Sequence, residues 1–354
     1  MGDTATRTAV RDGDPADRCP WREAIEPYER SSVPRALVDL ATSVVPYLLL
    51  TVVAYLCMEV SVWLTIGISA LASGFLLRTF IVFHDCGHGS FFGSKRANLW
   101  MGRFTAFLTY QAFYSWRYKH ALHHGSAGDL DRRGQGDVET WTVDEYLAAS
   151  WKGKLGYRAF RSPFVMFTLG PIWSLMIGPR LWNRKMRKPE LRSVWLTNGA
   201  LAVMLTAIIY FIGIGTWAAA QMPAAMIAGT AGVWLFYVQH QFEDVYWVSN
   251  DRWSYAEAAL RGSSYLRLPK VFQFFTGNIG LHHVHHLSSR VPNYNLQRAH
   301  EHLEIFDDVP VLTPWQAVKA TRLKLIDAER GQLLTWGQLR QRRTASPAAS
   351  TALF

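Results

Sequence analysis

Fifty consecutive residues, from Ser193 to Phe242, contain no Asp, Glu, Lys or Arg. A membrane crossing takes about 20 apolar residues. The block therefore accommodates two spans, at about 194–213 and 222–240, with "GIGTW" and Pro223 supplying the break. A second block, Leu40 to Leu77, carries Glu59 as its only charge. It predicts spans at about 40–58 and 60–81, turning at Glu59, where a charge reaches water or headgroups at least cost. The expected fold is an all-α integral membrane protein. Four transmembrane helices form two hairpins, and a helical cap covers one side.

Charge sets the sides. The formal net charge is +10, and residues 84–192 hold 17 Lys and Arg against 8 Asp and Glu. The two outer turns carry no Lys or Arg. The positive-inside rule places the cap and both termini in the cytoplasm. The same basic balance among long apolar, aromatic-rich blocks speaks for a membrane protein and against a nucleic-acid binder. Two uncharged or nearly uncharged stretches, 99–114 and 162–179, are expected to lie in the bilayer surface. The second holds Pro163, Pro171 and Pro179, which make it a poor spanning helix. Residues 1–30 and 339–354 read as disordered tails around a single domain, 31–338. The first apolar run begins near Leu37, too late for a secretory leader. Cys19, Cys57 and Cys86 form no disulfide or zinc pattern, and Cys86 is expected to be a buried filler.

The 12 histidines are not scattered. His84 and His88 follow the second span, and His240 ends the fourth. His120, His123 and His124 lie in "HALHH", and His282, His283, His285 and His286 in "HHVHH". Spacings of three and four share a helix face. That criterion keeps eight of these and drops His283, which points about 100° away from His282, and His240 at the end of the fourth span makes nine. Nine imidazoles then fall on one membrane face. His300 and His302 read as surface residues. Packed without metal, nine rings would leave nitrogens unpaired or opposed. At roughly four to six donors per ion they suit two ions, although imidazole alone does not choose among Zn, Cu, Fe and Ni. Metal-bound histidines usually give their other N–H to a carboxylate or carbonyl. Asp85, Glu243, Asp244 and Asn278 are candidates for that task. Asp129, Asp131 and Asp137 are further candidates, for most of which a solvated loop charge is the simpler reading. A transporter is disfavoured, because its sites sit at midplane on broken helices.

These motifs resemble a known family. "HDCGHGSFF", "HALHH" and "HHVHHL" are similar to the three histidine boxes of membrane fatty acid desaturases. "YVQHQFEDVYW", "GDLDRRGQGDVETWTVDEY" and "LSSRVPNYNL" resemble the bacterial acyl-lipid branch, which is similar to delta-12 (omega-6) desaturases. The likeness runs from about residue 37 to 335. It implies an O2-dependent oxidoreductase with a non-haem centre of two Fe. By the resemblance, His84, His88, His120, His123, His124, His240, His282, His285 and His286 would be its ligands. The substrate implied is the acyl chain of a membrane lipid, held in an apolar tunnel. Trp100, Phe104, Phe113, Trp116, Phe272 and Phe275 are candidates for its wall or for the membrane interface. With no flavin, haem or iron–sulfur motif in the chain, electrons would come from a partner such as ferredoxin or flavodoxin, at a bacterial inner membrane. A di-iron lipid hydroxylase or carotenoid ketolase remains the alternative.

Overall fold

The computed structural model describes residues 20–134 and 137–345. Four helices in it are long and apolar enough to cross a membrane. They are α1 (Val33–Cys57), α2 (Val62–His88), α5 (Lys188–Phe211) and α6 (Ile214–His240). α1, α2 and α5 extend past the hydropathy blocks because helical backbone continues into the cap, whereas α6 starts earlier at its opposite end, at Ile214, since Pro223 is accommodated inside the helix. α1 and α2 pack along each other across the turn that holds Glu59, and α6 packs against α2. Beside Pro223, the Ala224 N–H donates to Ser69 Oγ of α2 at 3.1 Å. Inside a bilayer such a partner is obligatory, since no water can take its place. α5 is exposed along most of its length and leans on α4 (Phe113–Ser126).

The two stretches expected to lie flat do not. After α2 the chain enters α3 (Lys95–Leu108), turns at Tyr110 with φ 58°, and returns through α4. The Tyr110 hydroxyl donates to Gln221 Oε1 at 3.2 Å. Gln221 lies 19 residues before His240, about 28 Å back along α6 at 1.5 Å per residue. α3 and α4 thus dip into the membrane-spanning layer. Segment 162–180 dips as well. Its prolines deny it a regular α ladder, and it winds in wide π turns, Val165–Leu169 and Ile172–Ile177. Thr230 Oγ1 donates to the Phe167 carbonyl at 2.9 Å, and Leu175 fills the space that a side chain at Gly229 would need. The segment therefore descends beside α6. Its Arg180 end reaches the Tyr110 carbonyl inside the layer, and the chain returns by Arg187, so the whole stretch 161–187 begins and ends at the level of the histidines. Arg161 bonds Gln241, next to His240, and the Arg187 guanidinium sits 3.9 Å over the ring of Tyr118, two residues before His120.

The cap is mostly helical, with α7 (His282–Leu287) and α8 (Asn293–His302) at its centre. It is not purely so. β1 (Tyr265–Leu266) pairs in parallel with β2 (Val311–Leu312), and β3 (Leu323–Asp327) pairs antiparallel with β4 (Gln332–Thr335). These short strands tie polar loops together where no apolar period marked them. Residues 20–30, assigned to a tail on composition, form a short helix (Pro20–Ile25) and a 3-10 turn (Glu26–Glu29). Ile25 is buried in the cap core there. Residues 339–345 continue the helix Trp336–Ala345, with Leu339 buried. One apolar anchor in each segment outweighs its polar composition. Residues 1–19, including Cys19, and 346–354 lie outside the described residues.

Since both ends of 161–187 share a level, single cysteines placed at 145 and 190 should be labelled from the same membrane face. Labelling from opposite faces would make 162–180 a fifth span and refute this topology.

Candidate metal centre

Each box is delivered by the end of a helix. α2 closes in its last turn with His84 and His88, and Gly89, at φ 79°, lets the chain leave in the left-handed region. α4 carries His120, His123 and His124 over its last two turns, and His240 is the last residue of α6. α7 presents His282, His285 and His286 after a tight turn at Gly277 and Asn278, whose φ angles are 51° and 57°. A side chain at Gly280 would collide with the Leu266 carbonyl, so the strand approaches α7 only because that residue is glycine.

The nine rings converge in two groups. His84, His88, His120, His124 and His285 form one; His123, His240, His282 and His286 form the other. Within each group the donor atoms lie within 4.8 Å of one another. In the first, Nε2 of His120 stands 3.0 Å from that of His84 and 3.1 Å from that of His124, which is 3.0 Å from that of His285. In the second, Nε2 of His240 is 3.1 Å from that of His123 and 3.0 Å from that of His282, with His286 at 3.1 Å from His282. The groups adjoin: the His124 and His286 rings stack with centroids 4.2 Å apart.

This donor set fits metal and little else. Nitrogens converging at one point cannot all find a proton between them. Nε2 of His88 is buried with no hydrogen-bond partner at all. An unsatisfied buried polar group costs about 1–3 kcal/mol. Five such groups would cost about as much as the whole stability of a typical domain, roughly 5–15 kcal/mol. Burial first, then the neighbouring rings, hold His120, His124, His282, His285 and His286 well below the ordinary imidazole range. Each therefore offers a neutral ring and a free lone pair at neutral pH. The spacing also bears on coordination. Two donors at right angles around an ion at about 2.1 Å stand roughly 3.0 Å apart, whereas a tetrahedral zinc cage spreads them to roughly 3.4 Å.

The opposite ring nitrogens are held from behind. His84 Nδ1 donates to Asp85 Oδ1 at 2.9 Å, and Asp85 Oδ2 accepts from the backbone N–H and side-chain amide of Asn293 at 2.7 and 3.0 Å. The Asn293 amide also reaches Asp39, which pairs with Arg78. His123 Nδ1 donates to Asp137, and His240 Nδ1 donates to the Gly262 carbonyl at 3.0 Å. Burial pushes the Asp137 carboxyl up, but His123 beside it more than offsets this and keeps it below the usual carboxylate range.

Several expected residues stand elsewhere. Glu243 and Asp244 are exposed, because the chain turns outward once α6 ends. Asn278 contributes its left-handed backbone and its carbonyl, which accepts from Leu281 N–H at 3.0 Å. Asp129 and Asp131 hold Asn250 and Arg132 in a loop apart from the rings. His283 turns away to His300 at 3.1 Å, so His300 is half-buried, and His302 meets the Tyr28 hydroxyl. Cys86 packs with Val82 and Phe91 as a filler.

A cavity of about 620 Å³ opens against the rings, lined by His84, His120 and His282. Its walls are largely apolar, with Leu76, Leu77, Ile81, Val233 and Phe236 among them. On α6 it runs from Ala228 to Gln239, which is about 16 Å of helix. Of the aromatics proposed for a tunnel, Trp116 lines it. Trp100, Phe104 and Phe272 are exposed instead, and Phe113 and Phe275 occupy the gaps left by Gly102 and Gly74.

A family model for "Fatty acid desaturase" matches residues 61–313. A "Fatty acid desaturase" of Bacillus subtilis is 42% identical over 309 residues, covering 87% of this chain and 88% of that one. An "sn-1 oleoyl-lipid 12-desaturase" of Synechocystis is 28% identical over 304 residues, covering 80% and 78%. An "sn-1 acyl-lipid omega-3 desaturase (ferredoxin)" of the same organism is 27% identical over 267 residues, covering 67% and 68%.

The facing nitrogens yield a direct contrast. Alanine at His88 or His286 should lower the metal bound by purified, anaerobically reconstituted protein from two ions to about one per chain. His283→Ala, at the residue beside His282, should leave it at two. Equal loss in all three variants, read by elemental analysis, would refute the grouping.

Proposed function

The chain belongs to the fatty acid desaturase family and is an oxidoreductase, and from that premise we propose that it inserts a cis double bond into an acyl chain of a membrane lipid. The observation that carries the reading is the junction of nine converging imidazoles with an apolar cavity. When bound, a pair of irons supplies the activation of O2 that lets two hydrogens leave adjacent methylenes. Two external electrons and two protons complete the balance, and O2 ends as two molecules of water.

The chain's own residues do the rest. The nine histidines would hold the irons, with Asp85, Asp137 and the Gly262 carbonyl fixing the tautomers of three. The cavity's reach of about 16 Å along α6 is close to one leaflet of a hydrocarbon core about 30 Å thick. A lipid acyl chain fits that length. Its walls hold a methylene against the rings, where proximity contributes to rate, and they exclude water from the oxidant. Gly170 and Gly232 on the lining leave room that side chains would take. The rings and the basic cap face the cytoplasm of a bacterial inner membrane in this reading, and the net charge of +10 favours an acidic donor such as ferredoxin or flavodoxin.

Expression in a host with a defined lipid pool, followed by mass spectrometric location of new double bonds, tests the reading. A new O2-dependent double bond is expected. An added oxygen would instead identify the hydroxylase or ketolase alternative.

Gly232 tests the cavity itself, since a Cβ there meets only Leu77, at 3.7 Å. Gly232→Leu should project into the lining and cut turnover of the longest acyl chain about tenfold, a barrier change of about 1.4 kcal/mol. Metal content should not change. Unaltered turnover of all chain lengths would show that substrate lies elsewhere.

A further inference from the structure

Arg161 is the largest fully buried side chain among the described residues, with no exposed surface. No carboxylate pairs with it among those residues. Burying a charge without a counter-charge costs several kcal/mol, so the fold must gain something that a neutral residue would not provide. Its donors show what. Nη1 reaches the Glu139 carbonyl at 3.2 Å and Thr140 Oγ1 at 2.9 Å. Nη2 reaches Gln241 Oε1 at 2.8 Å, the Tyr237 hydroxyl at 3.1 Å and the Leu323 carbonyl at 3.1 Å. One planar fork thus joins three separate segments to the end of the helix that bears it. A lysine, with a single nitrogen, cannot span them.

Two of those segments lead to the same group of rings. Tyr237 and Gln241 flank His240 in sequence. Glu139 and Thr140 follow Asp137, the carboxylate that holds His123. The five-ring group is braced independently, through Asp85, Asn293, Asp39 and Arg78. None of these contacts Arg161 among the described hydrogen bonds.

We propose that Arg161 is a positioning residue that sets the four-imidazole group alone, by locking the end of α6 and the 137–140 loop into one arrangement around His240 and His123. The inference rests on the two-metal reading above. Full-length Arg161→Met, purified and reconstituted anaerobically with ferrous iron, should bind about one ion per chain where the wild type binds two. The spectroscopic signature of a coupled pair should give way to that of an isolated ion. Arg161→Lys should not restore it. Asn293→Leu serves as the mirror image, weakening the other group while Arg161 stays in place. If Arg161→Met does not fold, Gln241→Leu removes one arm of the clamp and should lower occupancy of the same group. Two coupled ions in folded Arg161→Met or Gln241→Leu would overturn the proposal. Equal loss from both groups in a monodisperse variant would overturn it too. Fewer than two ions in the wild type would remove the two-metal reading, and this inference with it.

Discussion

Nine ring nitrogens aimed at two points are a liability until something takes their lone pairs. Seven of the nine histidines are buried and His88 and His120 half-buried, most face another nitrogen at about 3.0 Å, and Nε2 of His88 has no partner. Such an arrangement has to be imposed by the rest of the fold, because the rings alone would repel or rotate apart. Helix ends impose it. Four helices stop where their last turns meet, and the opposite ring nitrogens of His84, His123 and His240 are gripped by Asp85, Asp137 and the Gly262 carbonyl. The backing residues are in turn anchored, by Asn293 on one side and Arg161 on the other. Rigidity behind the rings offsets the unfavourable convergence in front of them.

The membrane supplies the second constraint. Backbone within it must satisfy its own hydrogen bonds, which is why the dipping segments are helical even where three prolines oppose it. Segment 162–180 keeps helical turns by widening them. Gly170, Trp173, Ser174, Leu175 and Gly178 of this segment line the cavity opposite Ala228–Gln239 of α6. One irregularity therefore serves both the path of the chain and the volume beside the rings.

The spans and the nine histidines were legible because each rests on a strong local signal: a charge-free block, or spacings of three and four on one helix face. What stayed hidden depends on contacts distant in sequence. Asn293 reaches Asp85 across 208 positions, and nothing around "VPNYNL" announces it. Asp137 sits in a loop crowded with charges, and only the fold turns it inward to His123 while Asp131 faces Asn250. Asp39 and Arg78 offered a signal, as opposite charges at the borders of a block whose only other charge is Glu59. The flat placement of 99–114 and 162–179 failed for a related reason. Composition tells how apolar a segment is, but not whether a tyrosine such as Tyr110 finds a glutamine deep in the layer. Sequence order also misjudged Glu243 and Asp244, since adjacency to His240 does not survive the turn after α6.

The division of the rings gives the cavity its meaning. Five nitrogens surround one point and four the other. The cavity meets both, through His84 and His120 of the larger group and His282 of the smaller. Its wall also includes Asp137, whose second carboxylate oxygen is buried without a partner. A chain lying in that space would pass the seam between the groups rather than end at one of them. The loop that carries Asp137 is the one fastened through Glu139 and Thr140 to Arg161. The wall of the cavity and the smaller group of rings are thereby held by the same clamp, so a shift of one is a shift of the other.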